Sequence, residues 1–181
     1  MRVSVYIAMS LDGYIARANG GLDWLPGAEC DEGKQTSDGD YGYSSFMETV
    51  DVMIMGRNTF EKVVSFGHWP YGDKEVYVLS NTIKSGEQTL PDGFRLFSGP
   101  AEEICRELKE SGARHAYVDG GKTIQGFLEA GLIDELIITI IPVLIGNGIP
   151  LFGSLKQDIK LRLLESKAFG NGFLQCKYEI Y

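Results

Sequence analysis

The sequence predicts an α/β fold on a mixed sheet, and three observations carry that prediction. Short apolar strand patterns alternate with helix-spaced segments through the middle of the chain, which implies crossovers and a largely parallel central sheet. The last two strand candidates are joined by the turn-rich "KAFGNG", the connection of an antiparallel hairpin. The 181 residues are 44% hydrophobic and 23% charged, a globular composition with no low-complexity tract, and the length fits one domain over residues 1–181.

Near the start, Val3, Val5, Ile7 and Met9 alternate with Arg2, Ser4, Tyr6 and Ala8, the period of a strand. A short helix is expected around Ser44 to Glu48, then a strand from Val50 to Met55 that runs into a helix beginning near Asn58, with Phe60, Val63 and Val64 apolar. Strands follow at Glu75 to Ser80 and Phe94 to Phe97. In "GPAEEICRELKESG", Pro100 fits the first helical position, Glu102 and Glu103 suit the positive end, Ile104 and Leu108 share a face, and Gly112 stops the helix. His115 to Val118 reads as a strand. Thr123 to Ala130 reads as a helix with Ile124, Phe127 and Leu128 on one side and Gly131 at its end. Strands at Glu135 to Ile141, Ile159 to Glu165 and Phe173 to Ile180 complete about eight strands and about four helices.

Lys+Arg 17 against Asp+Glu 25 gives a net charge of -8, which argues against nucleic acid or an anionic membrane as the main partner. No run approaches a membrane span, and the N-terminal alternation is unlike a signal peptide. Cys30, Cys105 and Cys176 are scattered and odd in number, so neither a disulfide framework nor a zinc spacing is offered. With only His68 and His115, a histidine metal site or a Ser-His-Asp hydrolase is hard to build, and no metal is expected. A reduced, cytoplasmic protein is the expectation.

Two strand ends share a device. "VMIMGRNT" and "AYVDGGKT" each run an apolar strand into glycine, then a cation, then a threonine at the mouth of a helix. Helix N-termini offer free N–H groups and about half a positive charge, and glycine lets backbone approach a ligand, so both ends suit phosphate. In an open α/β sheet, ligands gather beyond the carboxyl ends of parallel strands. "VYVLSN" supplies a third such end. Each junction alone also fits an ordinary turn, and neither is a P-loop or a Rossmann glycine motif.

These residues resemble a known superfamily. "MGRNTFE" and "VLSN" are similar to cofactor-binding stretches of dihydrofolate reductases. "AMSLDGYIA" and "VDGGKTIQGFLEAGLIDELIITIIPVLIGNGIPLF" resemble the C-terminal reductase domain of the bifunctional riboflavin-pathway deaminase-reductases. The resemblance implies a dihydrofolate reductase-like sheet and an NADPH-dependent reductase, with 5-amino-6-(5-phosphoribosylamino)uracil reductase as the nearest named activity. Dihydrofolate reduction and a non-catalytic nucleotide-binding module are the alternatives.

By matching motifs, the resemblance places the backbone of Ala8 against the nicotinamide carboxamide. It places Gly120, Gly121, Lys122, Thr123 and Ile124 at the pyrophosphate, and Gly56, Arg57, Thr59, Leu79, Ser80 and Asn81 around the adenosine 2′-phosphate. Arg57 suits that task because its planar fork grips a dianion through two hydrogen bonds. The substrate half draws on Tyr6, Asp12, Tyr14, Trp24, Asp40, Phe46 and Asp119. Tyr6, Tyr14 and Asp119 stand where riboflavin-pathway reductases carry two lysines and a Glu, so two cations are missing. Dihydrofolate reductases instead need one acid near the helix before the Gly-Arg strand, for which Glu29, Asp31 and Asp40 are candidates. Trp24 reads equally as a buried loop anchor and as a ligand contact. No side chain is singled out as proton donor, and the resemblance implies a homodimer.

Overall fold

The computed structural model describes residues 1–26, 39–67, 69–80 and 93–181. In chain order the elements are β1 (Arg2–Ser10), β2 (Tyr14–Ala16), α1 (Tyr43–Thr49), β3 (Val52–Gly56), α2 (Arg57–Val64), β4 (Glu75–Leu79), β5 (Phe94–Phe97), α3 (Ala101–Glu110), β6 (His115–Asp119), α4 (Gly121–Glu129), β7 (Glu135–Ile141), β8 (Ile149–Pro150), β9 (Leu161–Ala168) and β10 (Leu174–Ile180). An eight-stranded sheet runs β5-β4-β3-β6-β1-β7-β10-β9, parallel from β5 to β7 and antiparallel from β7 to β9.

β3 and β6 read as nearly continuous apolar runs because helices cover both of their faces. On one face Phe46 of α1 packs with Met53, Met55, Val76, Val78 and Tyr117. On the other, Ile104 and Leu108 of α3 and Ile124, Phe127 and Leu128 of α4 pack on Val3, Val5, Ile54 and Val118. Burial of each such side chain contributes about 1.5–3 kcal/mol. β9 lies beyond the helices, and all eight of its residues are exposed.

Several boundaries differ from the expected ones. Val50 caps α1, and Asp51 accepts the Arg114 and His115 N–H groups at 2.8 Å each, so β3 starts only at Val52. α3 starts at Ala101 with Pro100 as its extended cap, and α4 starts at Gly121, ahead of Thr123. β9 runs Leu161–Ala168 rather than Ile159 to Glu165, since on an uncovered edge the backbone ladder sets the limits and a register shift opposite Lys177/Tyr178 breaks the alternation. β2 and β8 form a separate two-stranded ribbon, too short for any periodicity to announce.

Candidate functional site

β1 and β6 are hydrogen-bonded neighbours over only three residue pairs, Arg2↔His115 to Ser4↔Tyr117, yet β1 continues to Ser10 and β6 to Asp119. Alternate residues of a parallel strand aim their N–H and C=O to opposite sides. Arg2 N–H bonds to Arg114 on the β6 side, whereas Val3 accepts from Asp134 on the β7 side. Ala8, in phase with Arg2, therefore aims its N–H and C=O toward β6 past the end of their ladder. Lower in this gap the Tyr117 hydroxyl donates to the Tyr6 carbonyl at 2.8 Å, taking the place of a ladder bond.

Trp24 adds a second feature to this rim. It is buried with Ile141, Phe169 and Phe173, in the cluster against which Ala8 packs, and its Nε1–H is the one buried side-chain group among the described residues without a hydrogen-bond partner. A buried orphan donor costs about 1–3 kcal/mol, which a ligand acceptor offsets. The anchor and ligand-contact readings of Trp24 are thus compatible.

The glycine ends lie side by side. Gly56 pairs with Leu79, and Met55 pairs with Asp119, so the carboxyl ends of β4, β3 and β6 form one rim. Gly120 has φ 94 and ψ 135, a conformation that favours glycine, and a Cβ there would collide with the Thr59 hydroxyl. Reciprocally, a Cβ on Gly56 would stand 2.8 Å from the Thr123 hydroxyl. Each helix mouth thus presents a threonine to the other's glycine, and the N-termini of α2 and α4 converge. Gly121 lets α4 approach β2 and β8, with Ile15, Ile149 and the Pro150 carbonyl within 3.3 Å of a Cβ built on it.

Around this pair, Arg57 opens α2 and its Nε donates to Glu61 at 2.6 Å. Ser80 is buried just past β4, Leu79 packs into the core, Lys122 is exposed and Ile124 is fully buried. These residues and the Ala8 gap suit a dinucleotide: amide donors and positive helix ends for phosphates, and paired backbone groups for a carboxamide. Asn81 lies outside the described residues, as do Glu29, Asp31, Cys30 and His68.

The region expected to hold substrate is a cluster of aromatic rings. Tyr6 lies tilted against Phe46 (centroids 4.9 Å apart) and edge-on to Tyr43 (5.4 Å), and Phe46 meets Tyr117 edge-on at 5.2 Å. Phe46 is a core residue beneath the cleft. Tyr6 donates to the Tyr41 carbonyl at 2.6 Å and accepts from Gln175 at 3.0 Å. Between α1 and the connection from α2 to β4 runs a groove of about 350 Å³, with Tyr43, Met47, Pro70 and Tyr71 in its walls. Tyr71 donates to Asp119 at 3.2 Å, joining the groove to the end of β6.

Asp119 is half-buried, and burial pushes its carboxyl above the usual range against the opposing Gly120 N–H and Tyr71 bonds. Its charge also helps to raise the phenols of Tyr43, Tyr71 and Tyr117, for which burial is the larger cause.

The structure gives two expected substrate acids other tasks. Asp40 is exposed and accepts the Gly42 and Ser44 N–H groups at 3.0 and 2.8 Å, so it caps α1, where free N–H groups attract a carboxylate. Asp12 accepts from the Ser10 hydroxyl at 2.6 Å and from the Gly146 N–H at 2.7 Å, tying the turn after β1 to the loop after β7. Tyr14 belongs to β2, with its N–H on the Ser10 hydroxyl. Sequence reasoning missed Tyr43, Tyr71, Tyr117 and Gln175, which stand in a loop or on core patterns and carry no distinguishing spacing.

A mixed sheet of this order, with two glycine-tipped helices at its carboxyl rim, defines a dihydrofolate reductase-like protein. The chain belongs to the RibD C-terminal domain family, whose model matches residues 2–175. It is 40% identical over 171 residues to YwjB of Bacillus subtilis (strain 168), covering 92% of this chain and 91% of that relative. A putative riboflavin biosynthesis protein from Shewanella sp. PV-4 is similar in structure, with a TM-score of 0.87 and 41% identity over 100% of this chain and 99% of that one. Dihydrofolate reductase from Enterococcus faecalis, complexed with NADP(H), shares the fold at a TM-score of 0.67 and 14% identity, over 99% of this chain and 96% of that one.

Proposed function

We propose that this protein is an NADPH-dependent reductase that transfers a hydride to a C=N or C=O of a small heterocycle or its sugar adduct. The observation that carries the reading is the open ladder between β1 and β6, where Ala8 aims its backbone groups beside the converging ends of α2 and α4. Family membership and the NADP(H) complex of a neighbour with the same fold support it.

In this reading Ala8 and Trp24 hold the carboxamide end, the N-termini of α2 and α4 hold the pyrophosphate, and Arg57 with Thr59 and Ser80 selects the 2′-phosphate. Bound NADPH supplies the hydride. The chain fixes the acceptor against it and excludes water through the aromatic wall of Tyr6, Tyr43 and Tyr117. The nearest named activity is 5-amino-6-(5-phosphoribosylamino)uracil reductase, with dihydrofolate reduction as the second reading. The reading extends to a cytoplasmic homodimer, for which the uncovered β9–β10 face with Leu161 and Leu163 offers a surface.

Titration with NADPH and NADH, followed by tryptophan fluorescence, tests the cofactor assignment. Addition of the riboflavin-pathway pyrimidine or of dihydrofolate then tests turnover by loss of NADPH absorbance. Failure to bind either nucleotide refutes the reductase reading. Binding without turnover of any acceptor favours the non-catalytic module.

A further inference from the structure

We propose that Gln175 is a positioning residue of the acceptor site: from the C-terminal hairpin it fixes the Tyr6 phenol and the entry to α1, so that Tyr6 meets a flat, uncharged acceptor with the face of its ring. The inference rests on the reductase reading and names a determinant of the acceptor class for the same site.

Strand pairing puts Ala8, Thr139 and Gln175 in one row across β1, β7 and β10. Neighbouring strands lie about 4.8 Å apart, so the row spans about 10 Å, and Tyr6 and Ala8 share a face of β1. The Gln175 amide leans along this face toward Tyr6. Its Nε2 donates to the Tyr6 hydroxyl and to Thr139 Oγ1 at 3.0 Å each, and to the Tyr41 carbonyl at 3.2 Å. A carbonyl only accepts, so the amide atom facing Tyr41 is the nitrogen, and its two hydrogens are shared among three acceptors. The Tyr6 hydroxyl gives its one proton to the same carbonyl at 2.6 Å.

Tyr41 has a φ of 59°, the one positive value at a non-glycine among the described residues. Such a conformation persists only where its surroundings over-determine it. Here the hairpin does so. The Tyr41 ring stacks on Phe173 at 5.4 Å and meets Phe169 edge-on at 4.8 Å, and its hydroxyl accepts from the Asn171 side chain at 2.8 Å. The strained residue turns its carbonyl to Tyr6 and Gln175 and leads into α1, whose Tyr43 and Met47 wall the groove. The hairpin turn and the acceptor wall thereby form one connected unit.

With its proton on Tyr41 and a lone pair taken by Gln175, the Tyr6 hydroxyl is committed. Burial raises the pKa of this phenol against the Gln175 bond, and the Asp40 charge raises it further, so the ring stays neutral. What Tyr6 offers a ligand is its half-buried ring, flanked by Phe46 and Tyr43. A ring face takes a flat partner by stacking, and its negative π surface disfavours an anion. The position at which the resemblance expects a lysine is rebuilt for stacking instead of charge.

The experiment has two readouts. On the cofactor-free chain, proton NMR detects the Tyr6 hydroxyl as a signal protected from exchange with water, assigned by its loss in Tyr6→Phe. Gln175→Met keeps the side-chain length, removes the amide, and shifts or broadens that signal. With saturating NADP+ under mildly acidic conditions, lumazine serves as the flat uncharged probe, followed by quenching of tryptophan fluorescence. Gln175→Met weakens lumazine by about 10-fold and NADP+ by less than about 3-fold. In a Tyr6→Phe background the same substitution changes lumazine affinity by less than about 2-fold, because Gln175 acts through the phenol.

A wild type without the protected hydroxyl signal, or one that does not bind lumazine, overturns the proposal. So does lumazine affinity in Gln175→Met equal to that of the wild type, or a loss of the same size in the Tyr6→Phe background. Failure of the wild type to bind NADP+ refutes the reductase reading instead. The hydroxyl signal and a lumazine titration of the cofactor-free chain then decide the role of Gln175, so the two failures are distinct.

Discussion

Replacing Gly120 by alanine perturbs the point where α2 and α4 interlock, and its cost follows from two terms. At φ 94 and ψ 135 an L-residue occupies a region almost confined to glycine, which costs about 1–3 kcal/mol. The added Cβ also meets the Thr59 hydroxyl, and since Thr59 is itself part of a helix, one element must move at a further cost of about 1–3 kcal/mol. The sum is about 2–6 kcal/mol, or at least about 4 °C of melting temperature in a domain of this size. Urea denaturation of the wild type, Gly120→Ala, Thr59→Ala and the double variant separates the terms. Thr59→Ala should recover the collision term and leave the backbone term, giving a coupling of about 1–3 kcal/mol. A Gly120→Ala loss below about 0.5 kcal/mol, or strict additivity in the double variant, would refute the interlocked helix ends.

Arg57→Ala should weaken NADPH by about 10- to 100-fold through loss of charge-assisted hydrogen bonds and leave NADH nearly unchanged; equal weakening in calorimetry removes Arg57 from the 2′-phosphate. His115 is buried with Nε2 2.8 Å from the Ser4 hydroxyl and Nδ1 3.0 Å from that of Thr49, and burial lowers its pKa. The fold therefore binds this proton less readily than the unfolded chain does. The contribution is complete above about pH 6.5 and declines as pH falls, by at most about 1.4 kcal/mol per unit. His115→Gln should flatten the stability slope between pH 7 and 5 in urea titrations. Asp12→Ala should speed hydrogen exchange at the Ile145 and Gly146 amides, and unchanged protection there would disprove the tie between the two loops.

Much of the scaffold was legible because the helices enforce it. Strands buried on both faces, such as β3 and β6, must be apolar throughout, and the glycine stops reflect a positive φ at Gly120 and a close approach to Thr123 at Gly56. β9 was placed two residues early because an uncovered edge imposes no hydrophobic period. The two helix mouths were also legible, since their pattern is local: a glycine, a cation and a threonine at each. The substrate half was not. Asp12, Asp40 and Asp119 are all carboxylates in turn-like sequence, yet hydrogen bonds dominate at the first two and burial at the third.

Sequence alone determined the mixed sheet, its antiparallel end and the two glycine-tipped junctions, because periodicity and turn chemistry act over a few residues. Tertiary structure decided that the ladder between β1 and β6 stops early, that Thr59 and Thr123 face each other's glycines, and that Tyr71 reaches Asp119 across 48 positions of chain. Those features depend on which distant segments share a dielectric environment and a hydrogen bond, and only the folded chain brings them together.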